Sequence, residues 1–281
     1  MDKKITVSLL ANTGIGNAVF RALVNNSAVI VDSIVTRKFE ENYPLYDIPE
    51  LYYEAEQKGV KCFFDIDVNT DYFNYIKNRK VDVILVATFN QIIKNNLLSL
   101  PNIKIFNFHP SLLPKYRGPS PIIWTLLNGE KKTGITIHVL SEKIDAGDIV
   151  LQKEVEIEIE ETLGSLSHKL AIAAEPLTEM LIDGILNNKL EPKNQNPTES
   201  SYFKRPSSQR FFYHNDPLNI VETRLRAFHP FPGSVYVDED DNKFIVLDYW
   251  FEIESGIVNN EVLILKKEGK EIFMKINTYS E

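Results

Sequence analysis

The sequence predicts an α/β protein: a mostly parallel sheet with helices on both faces, joined to a small β-rich unit. Three observations carry that expectation. From residue 5 to residue 188, short apolar runs rich in Val, Ile and Phe alternate with stretches of helical spacing, the order that makes right-handed crossovers between parallel strands. The stretch "KLEPKNQNPTESSYFKRPSS" at 189–208 is polar and proline-bearing, which marks a linker. Beyond it the apolar runs are short and separated by Asp-rich and Gly-containing turns, as in hairpin-linked strands. The expected units are therefore 1–190, a linker at 191–209, and a β-rich unit at 210–281.

Taken in order, "ITVSLLA" (5–11) is a buried-strand run, and "GIGNAVFRALVNN" (14–26) places apolar residues at helical spacing. Strands follow at 28–35, 60–66, 81–89 and 104–110, with helices expected at 48–59 and 70–80. A helix at 119–130, a strand at 134–140, a turn at "SEKIDAGD" (141–148) and a strand at 149–157 come next. A long helix spans 162–188, with Thr162 as its N-cap. The last unit opens with a helix at 216–228 and continues in strands within 233–253 and 260–276.

The chain of 281 residues holds 43% hydrophobic and 25% charged residues, an ordinary globular balance. A formal charge of −8 argues against a broad nucleic-acid surface. A single cysteine, Cys62, excludes an intrachain disulfide and a cysteine zinc cluster, and suits a packed thiol in a reducing cytoplasm. The opening "MDKKITVSLLANTG" breaks at Asn12 and reads as a first strand rather than a signal peptide. No stretch approaches the ~18 apolar residues of a membrane span.

Chemistry concentrates at "FNFHPSLLPKYRG" (106–118). Asn107 and His109 share one face at the end of a strand, and Pro110, Pro114 and Gly118 pin the turn that follows. A half-sheltered amide and imidazole make a poor core and a good cradle for a reacting carbonyl. Parallel sheets bind ligands beyond the carboxyl ends of their strands, where this pair sits. Thr136 and His138 share a face of another strand, and a structural role is the default for His138. Asp145 lies in an Asp-x-Gly turn, which by itself means local backbone bonding; beside His109 its carboxylate can orient the imidazole and raise its pKa. The first strand–helix turn, with Gly14 and Gly16, can approach a phosphate. Val19 and the early Asp32 spoil a dinucleotide fingerprint, so a nicotinamide-dependent reductase is the weaker rival. His168, His214 and His229 stand alone. No metal spacing, phosphate loop or serine elbow is present.

Residues 107–150 resemble the signature of the folate-dependent formyltransferases. Asn-x-His, Leu-Pro-x-x-x-Gly, Thr-Gly-x-Thr and Asp-x-Gly-Asp occur in order, and the likeness covers roughly the first 190 residues. The tail is similar to the C-terminal unit of the transfer-RNA and sugar members. The resemblance implies a Rossmann-like formyltransferase fold and N10-formyltetrahydrofolate as co-substrate, with no metal. It implies that Asn107 and an imidazolium at His109 stabilise the oxyanion, and that Asp145 holds His109 and helps move the proton. It places the pterin between the main chain of Gln91, Ile92 and Ile93 and the loop of Ser141, Glu142, Lys143, Ile144 and Asp145, with Thr136 and His138 in support. The segment around Gln91 is neutral where many relatives are basic, and "TRKFEENYPLYDIPELYYEA" lacks the basic, glycine-bearing loop of methionyl-tRNA formyltransferases.

Three classes of partner compete. A transfer RNA needs a basic tail, yet residues 201–281 hold 10 Lys and Arg against 13 Asp and Glu; Lys193, Lys204, Arg205 and Arg210 are the local exception. A dTDP- or UDP-linked 4-amino-4-deoxy sugar of surface-glycan, lipopolysaccharide or O-antigen synthesis needs only a diphosphate pocket and base stacking, which Asn12, Arg37, Lys38 and nearby tyrosines can supply. The tail is then an accessory module, with a homodimer as one use for it. A binding protein with a degenerate site is the third class, and the intact Asn107, His109 and Asp145 set speaks against it.

Overall fold

The computed structural model describes residues 4–38, 42–251 and 262–279. Four crossovers and two antiparallel turns build one sheet from β1 (Ile5–Ala11), β2 (Val29–Thr36), β3 (Lys61–Phe64), β4 (Val83–Ala87), β5 (Lys104–His109), β6 (Lys132–Val139) and β7 (Ile149–Glu156). Their order is β3-β2-β1-β4-β5-β6-β7. The first five run parallel, whereas β6 and β7 are antiparallel to their neighbours.

Alternation sends successive side chains of each strand to opposite layers. Leu9, Leu85, Phe106 and Phe108 join Phe20 and Leu23 of α1 (Ile15–Val24) and Leu170 and Leu177 of α6 (Leu163–Leu186) in one core. Leu10, Val35, Ile84 and Ile105 join Tyr72, Ile76 and Leu97 in the other. Helices therefore cover both faces, as the alternating pattern implied. α2 (Leu51–Gln57) and α5 (Pro121–Leu127) complete the first layer, with α3 (Phe73–Ile76) and α4 (Asn95–Leu98) on the second. Thr162 caps α6 as expected, accepting from the Ser165 N–H at 3.2 Å.

Three stretches differ from the sequence expectation, one of them the single-turn helix α4, which is too short to show a period. The helix expected at 70–80 is a π-turn at Val68–Tyr72 followed by the single turn of α3, and Asp67 caps its start by accepting from the Asn69 N–H at 2.7 Å. The second sheet also contains β8 (Phe211–Tyr213), too short to show a period, paired parallel with β9 (Val235–Val237). It runs β11-β12-β10-β9-β8, with β10 (Lys243–Trp250), β11 (Val262–Lys267) and β12 (Lys270–Thr278) antiparallel. The strand ends expected at 252–253 and 260–261 lie outside the described residues. α7 (Leu218–Phe228) packs Val221 and Leu225 onto this sheet through Phe212, Tyr236 and Met274.

Glycine has a packing role where β6 meets β7. A Cβ at Gly134 would enter the Lys153 carbonyl and lie 2.6 Å from Leu112. Gly134→Ala is expected to lower the urea unfolding free energy by about 1–3 kcal/mol, and an unchanged midpoint would contradict this packing.

Candidate active site

The strand ends of β1, β4 and β5 and the loop between β6 and β7 meet at one edge of the sheet. Phe106 and Phe108 point into the first core, so the alternate positions Asn107 and His109 face the other way. Antiparallel register puts Asn107 opposite His138 and His109 opposite Thr136. The four polar residues read from the sequence therefore share one side.

Asp145 closes the group. Its Oδ2 accepts from the Gly118 N–H at 2.8 Å and lies 3.6 Å from His109 Nδ1. Its Oδ1 lies 3.6 Å from His138 Nε2 and 3.5 Å from Asn107 Nδ2. Asp145 takes a left-handed φ of 49°, which Asp tolerates better than most residues. Gly147, two residues on, is required because a Cβ there would enter the Val139 carbonyl.

Carbonyl partners fix the tautomers, since a carbonyl only accepts. His109 Nε2 lies 2.8 Å from the Tyr116 carbonyl and must donate to it. His138 Nδ1 donates to the Val139 carbonyl at 3.0 Å, which leaves Nε2 to accept from Asn107 Nδ2 at 3.1 Å. One amide hydrogen of Asn107 is thus taken up, and the other has only the long contact to Asp145. His109 is 5% exposed. Burial pushes its imidazole below the ordinary range, against the opposing pull of Asp145 and the Tyr116 carbonyl. Burial thus favours the neutral ring, with Nδ1 as its basic atom. Burial pushes the Asp145 carboxyl up, but the contact with His138, the charge of His109 (both felt once the rings carry a proton toward it) and the Gly118 N–H win and hold it at about 2.

The turn after β5 presents these partners through an unusual backbone. Tyr116, Gly118 and Ser120 all have positive φ, at 61°, 96° and 61°. Thr136 fastens its start: its hydroxyl donates to the Ser111 carbonyl at 2.6 Å and accepts from the Leu113 N–H and from Gln152. Thr136 thus ties the turn to β6.

The remaining candidates sit around this edge. Gln91, Ile92 and Ile93 follow β4 outside any strand or helix. The Gln91 side chain is used structurally, accepting from the Val68 N–H at 3.0 Å and donating to the Ile66 carbonyl at 2.8 Å. Ile92 is 71% and Ile144 49% exposed. Ser141 folds its loop by donating to the Lys143 carbonyl at 3.0 Å, while Glu142 and Lys143 point to solvent.

Asn12 is buried and donates to the Thr88 carbonyl at 3.0 Å, tying β1 to the end of β4. Its Oδ1 is buried without a partner among the described residues, as is Oε1 of Glu50. The Gly14 turn does not take the open form a phosphate needs. Its N–H donates to Asn17 Oδ1 at 2.9 Å, and the Tyr43 hydroxyl fills the space beside it. Glu50, bonded to Thr13 at 2.5 Å, adds a carboxyl to the same corner. Lys38 lies over the rings of Tyr52 and Phe64 at 5.0 and 4.5 Å; Arg37 is exposed beside it. Three participants were missed by sequence reasoning: the Tyr116 carbonyl, the Gly118 N–H and Gln195, which donates to the Asp145 and Gly147 carbonyls at 2.9 and 2.7 Å. Gly118 alone carried a signal, as the turn glycine. No cluster of three or more metal-ligating side chains occurs among the described residues, and none of their helices is long and apolar enough to cross a membrane.

The titrations predict a pH dependence. A folded-state pKa below the unfolded one gives stability that is present at neutral pH and lost in acid. For His109 the loss begins as pH falls through ~6.5, and for Asp145 it runs from ~4 down to about 2. Thermal midpoints of the wild type should fall between pH 7 and 5, while His109→Gln flattens that interval and keeps the loss below pH 4. Parallel curves for the two proteins would contradict the burial of a neutral ring.

Comparison with known proteins agrees with this geometry. Residues 24–181 match the formyl transferase family. The chain is 34% identical over 182 residues to methionyl-tRNA formyltransferase of Thermotoga neapolitana, covering 64% of this chain and 58% of that protein. It is 34% identical over 230 residues to the bifunctional polymyxin resistance protein ArnA of Wigglesworthia glossinidia brevipalpis, covering 79% and 35%. It thus spans less than two thirds of either relative. Among solved structures, an N-formyltransferase from Helicobacter canadensis superposes with a TM-score of 0.71 at 20% identity, over 97% of this chain and 100% of that one. A 4-N formyltransferase from Francisella tularensis gives 0.70 at 24%, over 89% and 99%. With the matched family stretch covering more than half of its length, this chain belongs to the formyl transferase family.

Proposed function

We propose that this protein transfers a formyl group from N10-formyltetrahydrofolate to the amine of a nucleotide-linked amino sugar, a dTDP- or UDP-4-amino-4-deoxy sugar of surface-glycan synthesis. The observation that carries formyl transfer is the grouping of Asn107, His109 and Asp145 at the ends of β5 and the β6–β7 loop. The exposed Ile92 and Ile144 are apolar surface that the pterin of the donor would use. The Helicobacter protein was solved with folinic acid and dTDP-3-aminofucose, which supports a folate donor and a sugar-nucleotide acceptor for a chain of the same fold.

The residues assign themselves roles by their hydrogen bonds. As the acceptor nitrogen adds to the formyl carbon, a C–N bond forms and negative charge gathers on the formyl oxygen. The Asn107 hydrogen not committed to His138 is the donor for that oxygen, and a fixed donor aimed at developing charge lowers the barrier by several kcal/mol. The proton released by the nitrogen passes to His109 Nδ1, where Asp145 at 3.6 Å stabilises the imidazolium formed. The bond from carbon to N10 then breaks, N10 takes a proton, and tetrahydrofolate leaves with the formamide complete.

Charge and packing favour the smaller acceptor. The last 81 residues carry more acid than base, and Arg210, one of the few linker cations, is spent on the Gly233 and Pro232 carbonyls. Asn12 Oδ1 and Glu50 Oε1, buried near the strand ends, offer acceptors for sugar hydroxyls. The sequence relatives named methionyl-tRNA formyltransferases make the transfer RNA the competing acceptor.

Formyl transfer measured with N10-formyltetrahydrofolate, dTDP- and UDP-4-amino sugars, and charged initiator methionyl-tRNA decides the matter. Turnover with a sugar nucleotide is expected. Turnover with the transfer RNA alone would overturn the acceptor, and no turnover with any would overturn the donor. Asn107→Ala is expected to lower kcat by about 10²–10³-fold without unfolding the chain; wild-type kcat would remove it from the reaction.

A further inference from the structure

Residues 191–209, a mere connection by composition, lie across the site. Lys193 exchanges both main-chain hydrogen bonds with Ile149 at 2.8 Å. Asn194 donates to Asp148 Oδ1 at 2.5 Å. Gln195 spends its whole side chain there. Its Nε2 hydrogens go to the Asp145 and Gly147 carbonyls, and its Oε1 accepts a fork from Arg117 Nε and Nη2 at 3.0 and 2.6 Å. Three consecutive residues thus zip onto the loop that carries Asp145.

The same segment then crosses to the opposite arm. The Ser201 hydroxyl accepts from the Tyr116 N–H at 2.9 Å, its carbonyl accepts from the Arg117 N–H at 2.9 Å, and the Phe203 N–H donates to the Arg117 carbonyl at 3.0 Å. Phe203 stacks on Tyr116 and Trp124 with centroids 5.3 and 4.7 Å apart. A Cβ at Gly118 would enter the Phe203 carbonyl and lie 2.8 Å from the Tyr202 ring, so glycine there admits the strap. This arm is the positive-φ turn whose Tyr116 carbonyl holds His109 and whose Gly118 N–H holds Asp145. For Tyr116 and Ser120 such backbone is strained and persists only where its surroundings enforce it.

We propose that the 193–203 segment is a strap that sets the reacting geometry from both sides, with Gln195 as the positioning residue that joins its two arms. Through Arg117 it reaches the turn that supplies Gly118, and through its amide hydrogens it fixes the main chain of Asp145. The inference rests on the formyl-transfer reading above. Gln195 does not touch substrate; it acts by keeping the Asp145 carboxylate within reach of His109.

The experiment compares full-length Gln195→Leu, Gln195→Glu and Asp145→Asn by steady-state kinetics and thermal unfolding. Gln195→Glu keeps an acceptor for Arg117, so the strap stays docked, but it removes the donors to Asp145 and Gly147. Both Gln195 variants are expected to lose kcat by roughly 10- to 100-fold, the effect of misplacing a reacting group by about 1 Å. The KM for the formyl donor should move by less than about threefold, since binding and chemistry separate in this way when only the reacting geometry changes. Thermal midpoints of Gln195→Glu should stay near wild type. Wild-type kcat in both Gln195 variants, with Asp145→Asn inactive, would overturn the strap. Losses in KM and stability with kcat intact would equally overturn it, since that is what a purely structural tether gives. Wild-type turnover in Asp145→Asn would instead sink the formyl-transfer reading itself.

Discussion

A carboxylate kept charged in a mostly buried place is the constraint on which the rest of this site depends. Asp145 is 12% exposed at its side chain, and burial by itself disfavours its charge. His138 and His109, once protonated, and the Gly118 N–H reverse that penalty, and Asn107 approaches at 3.5 Å. Each partner in turn requires a piece of fold. The Gly118 N–H needs a turn with three positive φ values, the histidines need β5 and β6 in antiparallel register, and Asn107 needs to end its strand on the side away from the core. Losing the carboxylate would leave the Gly118 N–H without its acceptor and His109 without the charge that stabilises its imidazolium.

Charge at this site is arranged to move rather than to stay. The carboxylate is stable at every physiological pH, whereas the imidazole beside it is held neutral by burial. A neutral ring with its proton on Nε2, and a carboxylate facing Nδ1, is poised to receive a proton and to be stabilised once it has done so. The same carboxylate is a poor base for itself, because its own proton affinity is too low. Division of labour between the two groups follows from their environments.

Much of the frame was legible in the sequence because it follows periodic rules. Alternating strands and helices gave the parallel sheet and its two covered faces, and the shared face of Asn107 and His109 followed from a period of two. Asp145 was visible only as a turn residue whose partner lay far along the chain. What stayed hidden was contact between segments without period. Gln195 sits in a polar stretch that looks like spacer, and no local pattern distinguishes it from Asn194 or Asn196. The first strand–helix turn was ambiguous for a similar reason: its glycines suit a tight turn and a phosphate contact equally, and the Tyr43 hydroxyl beside Gly14 comes from outside the turn. The helix expected at 70–80 is instead a π-turn and a single helical turn, a difference that apolar spacing does not register. Main-chain partners such as the Tyr116 carbonyl have no side-chain signature at all.

The coupling between Asp145 and His109 is most directly measured by following the His109 ring through a pH titration with ¹⁵N-histidine NMR, in the wild type and in Asp145→Asn. The wild-type ring should be neutral at pH 7 with its proton on Nε2, and should titrate below ~6.5. Removing the carboxylate takes away the charge that favours the imidazolium, so the midpoint should move lower still. A His109 that is charged at pH 7, or whose midpoint is indifferent to the substitution, would contradict an Asp145-centred site.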